Sequence, residues 1–236
     1  MFESQRLDHK ISKSDFKAEE PRLRGELIDT QFDLLESGDF PVIVLLSGTD
    51  VLGRSGAASQ LMNWMDARHI QSYALIRPSE EELDRPRMWR FWRALPRKGR
   101  IGIFLNAWYE QPFSNYFLGR IPHAQYKAQI DEICNFEQML VNDGALFLKF
   151  LLLLPIEEEL RELKNLKKER FAAWKVSKEE IEIVKQSAER HDEVVELVEE
   201  LVTETSTARA PWIPIASANP RYRDLTIGRS LLEAIR

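Results

Sequence analysis

The sequence lacks the features that define several classes of protein. A single cysteine, Cys134, excludes a disulfide framework within the chain and a metal site built from several thiolates. Ten glycines and 11 prolines among 236 residues are too few for a collagen-like or low-complexity chain. The first ten residues contain no apolar core of a secretory signal, and the longest apolar run, at 145–154, is about half a membrane span. These absences predict a soluble, cytoplasmic protein with no membrane partner.

The charges are unevenly distributed along the chain. Hydrophobic residues make up 44% of the sequence, enough to fill a core, and the net charge is −5. Residues 85–100 contain seven arginines and lysines and no acid, whereas residues 178–204 contain ten acids and three basic residues. The basic stretch predicts a surface that holds a polyanion, and nucleic acid is the weaker interpretation because no recognition motif accompanies it. The acidic stretch is interpreted as a solvated helix face, with an interface in a homo-oligomer as an alternative.

Five apolar segments alternate with longer helical patterns. The segments lie at 42–47, 72–76, 101–105, 146–153 and 212–217, and the helical patterns at about 55–67, 79–95, 114–142, 157–205 and 221–235. Continuous apolar runs are typical of strands that are buried on both faces of a parallel sheet. The alternation therefore predicts a three-layer α/β fold with a five-stranded parallel sheet.

The pattern divides the chain into an extension and a main domain. Residues 1–39 predict a helical N-terminal extension, in which Pro21 marks a break or a helix start. Residues 40–236 form the main domain. The helical segment at about 156–205 is too long for a plain crossover between strands, so it predicts a helical lid.

A glycine-containing loop follows the first predicted strand. Residues 48–55 have the spacing of the phosphate-binding loop G-x-x-x-x-G-K-[ST], with arginine in the place of the lysine. Glycines let successive backbone N–H groups turn toward one anion, and the start of the following helix adds partial positive charge. The predicted phosphate-binding residues are Gly48, Gly53, Arg54, Ser55 and Gly56. A plain glycine turn between a strand and a helix is the alternative.

Four segments of the sequence resemble the type-2 polyphosphate kinase family. They are GTDVLGRSG at 48–56, PSEEELDRPRMWRFWRALPRKGRIGIFLNAWYE at 78–110, AWKVS at 173–177 and NPRYRDLTIGRSLLEAI at 219–235. The resemblance covers nearly the whole chain from about residue 16. It implies a P-loop kinase fold similar to that of thymidylate kinases, and phosphoryl transfer between polyphosphate and a nucleotide, AMP or ADP, with Mg²⁺. Asp50 is then the retained catalytic and metal-binding carboxylate of the loop.

The basic stretch fits this resemblance. Arginines are suited to phosphate groups because the planar guanidinium offers several donors, and aromatic residues between them would hold them on a rigid helix. On such a helix Arg90 and Arg93 lie three positions apart on one face. The predicted polyphosphate-binding residues are Arg85, Arg90, Arg93, Lys98 and Lys175.

The sequence departs from the family pattern at several catalytic positions. Where active members carry Asp-Arg after the third strand, this chain has Leu105 and Asn106, and Glu162 and Leu166 replace two arginines of the lid. Leucine cannot coordinate a cation, and asparagine is neutral. Together with Arg54 in the place of the loop lysine, these changes mark Arg54 and Asn106 as altered catalytic positions.

Two functions stay open from the sequence. The first is a polyphosphate-dependent nucleotide phosphotransferase whose catalysis is impaired in this chain alone. The alternative is a non-catalytic, degenerate kinase domain that binds polyphosphate or supports a homologous active domain. The set of changes resembles the N-terminal half of the two-domain polyphosphate:AMP phosphotransferases, in which the C-terminal half keeps the intact motifs.

Overall fold

The central feature of the fold is one parallel sheet, seen in a computed structural model that describes residues 9–74, 78–105, 107–166 and 176–236. The strands lie in the order β2-β3-β1-β4-β5. They are β1 (Val42–Gly48), β2 (Ile70–Ala74), β3 (Ile101–Leu105), β4 (Leu146–Leu153) and β5 (Trp212–Ala216). In the centre, Val44 of β1 lies opposite Ile103 of β3 and Leu148 of β4. The predicted five-stranded parallel sheet is confirmed.

Helices cover both faces of this sheet. They are α1 (Lys13–Ser37), α2 (Val51–Trp64), α3 (Glu80–Leu83), α4 (Trp89–Ala94), α5 (Glu110–Phe117), α6 (His123–Asn142), α7 (Ile156–Leu166), α8 (Lys178–Glu189), α9 (His191–Thr205) and α10 (Pro220–Ile235). Val44 and Leu46 of β1 share a core with α1, α2 and α10, whereas Ile43 and Leu45 share one with α4, α5, α6 and α9. Successive strand residues point to opposite faces, so this alternation produces the predicted three layers.

Several helices begin or end differently from the sequence prediction. The pattern at 79–95 is divided into α3 and α4, with Pro86, which has no N–H to donate, between them. The pattern at 114–142 is divided at Gly119, whose φ is 69°, and at Pro122, which precedes α6. The prediction that Pro21 marks a break or a start is wrong, because α1 continues through it. Packing of the next turns, which bury Leu23 and Leu27, holds this helix together.

Helix α1 belongs to the same core as the sheet. Its buried leucines pack with α2 and α10, Glu19 accepts a hydrogen bond from Arg229 Nε at 2.6 Å, and Glu20 accepts one from Trp64 Nε1 at 2.8 Å. The division of the chain between residues 39 and 40 stays a prediction. Within the described ranges, every helix is too short or too polar to cross a membrane.

A buried lysine connects β4 with two helices and with the turn after β3. Lys149 is 0% exposed, and its Nζ donates to Glu137 Oε2 of α6 at 2.8 Å and to the Thr205 carbonyl at the end of α9 at 2.7 Å. Glu137 Oε1 also accepts from Trp108 Nε1 at 2.9 Å and from the Tyr109 hydroxyl at 2.8 Å. The buried charges are therefore compensated, and they fix the Trp108–Tyr109 turn relative to α6 and α9.

Candidate functional site

The loop after β1 is short and tightly held. It consists of Thr49 and Asp50, between the end of β1 and the start of α2. Gly48 has a φ of 112°, and a Cβ at this position would lie 2.2 Å from the carbonyl oxygen of Leu152. Thr49 Oγ1 accepts a hydrogen bond from the Leu154 N–H at 3.0 Å. Only glycine fits at position 48, and the loop is fixed against the end of β4.

Gly48→Ala is expected to lower the free energy of unfolding by at least about 3 kcal/mol, because backbone strain and the clash with Leu152 add up. Gly144→Ala is the matched control. Its φ of 93° is similar, but nothing lies within 4 Å of the added Cβ. The control is expected to cost about 1 kcal/mol. Urea unfolding measures both, and equal losses would show that the close approach to Leu152 is unimportant.

Asp50 occupies the start of α2, where the sequence predicts a bound anion. Its Oδ1 accepts from the Gly53 N–H at 2.6 Å, so the carboxylate caps the helix. Its Oδ2 accepts from the Ser217 hydroxyl, and Arg223 Nη1 lies 3.6 Å away. The side chain is buried. The catalytic role of Asp50 stays a prediction, but its negative charge is engaged by protein groups on three elements.

Ser55 and Gly56 lie beyond the first turn of α2. At this depth helical N–H groups bond to carbonyls four residues earlier, as the Arg54 N–H does to the Asp50 carbonyl at 3.2 Å. The structure therefore does not place their amides at the open start of the helix, and their phosphate-binding role stays a prediction. A Cβ on exposed Gly56 would lie 3.1 Å from Nη2 of Arg223, at the tip of that side chain.

Arg54, the basic residue of the sequence motif at 48–56, is almost fully buried. Its side chain is 3% exposed, with Nη1 donating to Glu110 Oε2 and Nη2 to Glu180 Oε1, both at 3.0 Å. Burial opposes the charged form, but Glu110 and Glu180 outweigh burial and raise the Arg54 pKa above its ordinary value. Two carboxylates therefore hold the guanidinium in the position that the sequence pattern gives to a phosphate-binding lysine.

A cavity of about 70 Å³ lies beside Arg54, between the loop, α5, α8 and α9. Its lining combines apolar residues with the carboxyl groups of Glu110, Glu159 and Glu180. Burial, and then the nearby charge of Asp50, raise the pKa of Glu159 to about 8. Glu159 projects from the first turn of α7 and is 5% exposed. Carboxyl groups thus outnumber cations in the described lining.

Glu159→Gln is expected to reduce the pH dependence of stability between about pH 5 and 8. The folded protein keeps a proton on Glu159 that the unfolded chain releases above the ordinary glutamate pKa of 4.5, so stability falls as pH rises toward the folded pKa of about 8. The slope is at most about 1.4 kcal/mol per pH unit. Urea unfolding at pH 5.5 and 8.0 tests this, with exposed Glu157→Gln as control. Parallel pH curves for Glu159→Gln and the unmodified chain would contradict it.

The surroundings of Asp50 do not fit a magnesium site. Mg²⁺ takes oxygen ligands in octahedral geometry, whereas Asp50 Oδ2 already has the Ser217 hydroxyl and the Arg223 guanidinium beside it. Across the described ranges, no three His, Cys, Asp or Glu side chains converge in a way that could hold a metal ion. The metal-binding role of Asp50 stays a prediction.

Two of the predicted polyphosphate-binding arginines lie on one exposed surface of the basic stretch. The guanidinium carbons of Arg85 and Arg93 lie 5.4 and 4.8 Å from the ring centroid of Trp89, and both side chains are exposed. Arg90 turns inward, with its side chain 10% exposed and its Nε 3.5 Å from Glu82 of α3. Glu82 of α3 thus supplies a carboxylate for Arg90, and the polyphosphate-binding role of Arg90 stays a prediction.

The other predicted site residues are scattered. Lys98 is exposed in the turn before β3, and Leu105 ends β3, partly buried against the core of α1, α2 and α10. Glu162 lies on α7 with its pKa raised by burial and then by the charge of Asp50, while Leu166 is buried at the end of the same helix. Asn106 and Lys175 lie outside the described residues.

Four residues of the site were missed by the sequence analysis. Glu110 and Ser217 follow the third and fifth strands, and the carboxyl ends of parallel strands meet at one edge of the sheet, so their positions offered a signal. Glu180 has the spacing of a capping box with Ser177, which hides its second contact with Arg54. No local pattern pairs Arg223 with Asp50.

Comparison with known proteins identifies relatives along the whole chain. The family model described as Polyphosphate kinase 2 matches residues 10–236. A polyphosphate:AMP phosphotransferase of Pseudomonas aeruginosa is 40% identical over 235 residues, which are 100% of this chain and 47% of that protein. One of Pseudomonas syringae pv. tomato is 36% identical over 240 residues, covering 100% of this chain and 46% of that protein. The chain spans about half the length of these two relatives.

Solved structures agree with this similarity. A putative polyphosphate kinase 2 from Pseudomonas aeruginosa PA01 has a TM-score of 0.83 and 37% identity, covering 100% of this chain and 47% of the other. Polyphosphate Kinase 2 from Arthrobacter aurescens TC1 has a TM-score of 0.86 at 23% identity, covering 99% and 82%, and supports the fold alone. On the family match, the chain belongs to the polyphosphate kinase 2 family.

Proposed function

We propose that this domain is a polyphosphate-binding, non-catalytic unit of a polyphosphate:AMP phosphotransferase, and that a homologous active domain performs the transfer. The reaction assigned to the whole protein is phosphoryl transfer between polyphosphate and a nucleotide, with Mg²⁺ held by the active domain. The two similar phosphotransferases are about twice as long as the matched region, which leaves room in them for a second domain.

The observation that carries the proposal is the position of Arg54. Phosphoryl transfer depends on cations aimed at the moving group, and Arg54 is aimed at Glu110 and Glu180 instead. Leu105 ends β3 where active relatives are expected to carry a metal-holding aspartate. Arg54 is thus occupied by carboxylates in this cavity, and Leu105 offers no oxygen for a metal ion at the end of β3.

Polyphosphate binding is assigned to the exposed pair Arg85 and Arg93. Their guanidinium groups flank the Trp89 ring, and aromatic contacts of this kind restrict the arginine side chains without neutralising them. Arg85 lies 4.0 Å from the exposed carboxylate of Glu81, and such a surface pair is weak and readily screened. A linear polyanion therefore finds two nearby cations on one surface, and Lys98 is exposed later in the same basic stretch.

Titration with long-chain polyphosphate at two salt concentrations tests the binding. Affinity is expected to fall steeply with salt, because neutralised phosphates release counterions. Replacing Arg85 and Arg93 by alanine is expected to lower the slope of log affinity against log salt by about 0.7 to 0.9 for each charge removed. The matched control replaces Arg22 and Arg24, which are exposed on α1, and should leave the slope nearly unchanged. Absence of binding at low salt, or equal effects of the two double variants, would overturn the proposal.

A further inference from the structure

The lid is divided into a separately packed unit and a helix that belongs to the core. Leu163 and Leu166 of α7 pack with Val184 of α8 in a small cluster of their own. That cluster rests on Val51 and Leu52, in the first turn of α2. In contrast, the buried residues of α9 belong to the core with α5 and α6. Helices α7 and α8 therefore form a unit that contacts the loop region, whereas α9 is part of the main body.

A break at Arg190 separates the two parts. Arg190 has φ −123° and ψ 44°, between the last residue of α8 and the first of α9. Its Nη1 donates to the Phe117 carbonyl at 2.8 Å, its guanidinium lies 4.6 Å from the Phe117 ring centroid, and its Nε donates to Glu193 at 2.7 Å. These contacts fix the break to α5 and α9, and the Arg190 N–H also donates to the Gln186 carbonyl in the last turn of α8 at 2.8 Å. The break is therefore the boundary between α8 and the helix that packs in the main core.

Charged contacts fasten the α7–α8 unit over the loop. Glu180 of α8 accepts from Arg54, and the neighbouring Glu179 accepts from Arg120, which follows α5. The Arg54–Glu180 contact is the more enclosed of the two, with side chains 3% and 14% exposed. Breaking this pair removes one of the two carboxylates that compensate the buried charge of Arg54, so this contact contributes more than a surface pair does.

We propose that Glu180 is an autoinhibitory latch: it keeps the α7–α8 unit closed and occupies Arg54, which would otherwise bind an oligophosphate. The inference rests on the proposed function, because it concerns the same cavity. It adds that Arg54 is prevented from binding phosphate only while the α7–α8 unit is closed over it. Opening the latch frees Nη2 of Arg54 to donate to a phosphate oxygen, while Nη1 keeps its contact with Glu110.

Glu180→Gln isolates the latch from helix capping. Glutamine at this position still accepts from the Ser177 N–H, as Glu180 Oε2 does at 2.8 Å, so the start of α8 is kept. Amide hydrogen exchange in α7 and α8 is expected to accelerate about tenfold or more, while exchange in α9 stays the same. The control is Glu182→Gln, which removes the same charge from the exposed face of α8. Unchanged exchange in α7 and α8 of Glu180→Gln, or equal acceleration by the control, would overturn the latch.

Titration with tripolyphosphate tests the uncovered site. Glu180→Gln is expected to bind tripolyphosphate about tenfold more tightly than the unmodified chain, and adding Arg54→Gln is expected to remove this gain. A gain that survives Arg54→Gln, or the absence of a gain, would overturn the assignment to Arg54. Failure of the unmodified chain to bind long-chain polyphosphate would instead contradict the proposed function. In that case the amide hydrogen exchange of α7 and α8 still tests whether Glu180 holds these helices closed.

Discussion

A chain carrying Arg54→Lys, Leu105→Asp, Asn106→Arg and Glu162→Arg is expected to transfer phosphate from polyphosphate to AMP at least about a thousandfold faster than the unmodified chain. The reason is electrostatic, because catalysis of phosphoryl transfer consists mainly of positioning and of positive charge around the moving group. The four changes restore a metal-holding carboxylate and the cations that the family pattern places in the loop, after β3 and in the lid.

Single reversions are expected to have little effect, since groups that act as one unit do not contribute additively. The matched control carries the last three changes with Arg54 retained, and its rate should stay near that of the unmodified chain. Formation of ADP from AMP and polyphosphate with Mg²⁺ measures all three proteins. A repaired chain no faster than the unmodified one would show that the altered positions do not limit transfer.

Lys149→Met is expected to lower the free energy of unfolding by about 3–5 kcal/mol. The change leaves the Glu137 carboxylate buried without its cation, and the Thr205 carbonyl at the end of α9 loses its donor. Urea unfolding measures the loss. A loss of less than about 1.5 kcal/mol would show that the charge pair contributes little. Volume-conserving substitutions between apolar core residues cause losses of that size.

Adding Glu137→Gln to Lys149→Met is expected to recover a large part of the stability. Glutamine carries no charge, yet its oxygen still accepts from Trp108 Nε1 and the Tyr109 hydroxyl, which Glu137 Oε1 does at 2.9 and 2.8 Å. The uncompensated charge is removed while these two hydrogen bonds are kept. A double variant less stable than Lys149→Met alone would contradict the assignment of the loss to buried charge.

Four of the five strands of the sheet were predictable from the sequence, because strands buried on both faces require continuous apolar runs, whereas β2 is largely exposed and begins two residues before the predicted segment at 72–76. The segments at 101–105 and 146–153 match β3 and β4 residue for residue. Helix ends were less predictable, since they depend on which contacts the chain makes after a break. Pro21 is tolerated within α1 because the helix packs on α2 and α10, whereas Pro86 lies between two short helices.

The sequence predicts the loop of the candidate site, but it does not predict which residues contact that loop. Gly48 is identified by its spacing, and the structure gives it a positive φ and a close backbone neighbour. The position of the Arg54 guanidinium depends on Glu110 and Glu180, which are 56 and 126 positions away in the sequence. The contact of Arg90 with Glu82 depends on the division of the predicted helix at 79–95 into α3 and α4. Side-chain pairing over such distances follows from tertiary packing, not from local pattern.

Turnover by the highly purified, unmodified chain tests the central claim most directly, which is that this cavity does not transfer phosphate while Arg54 is held by Glu110 and Glu180. The chain is mixed with polyphosphate, AMP and Mg²⁺, and ADP formation is followed over time. We predict no ADP above the level formed with an Arg54→Gln variant. Sustained turnover that scales with the amount of the unmodified chain and disappears in Arg54→Gln would contradict the account.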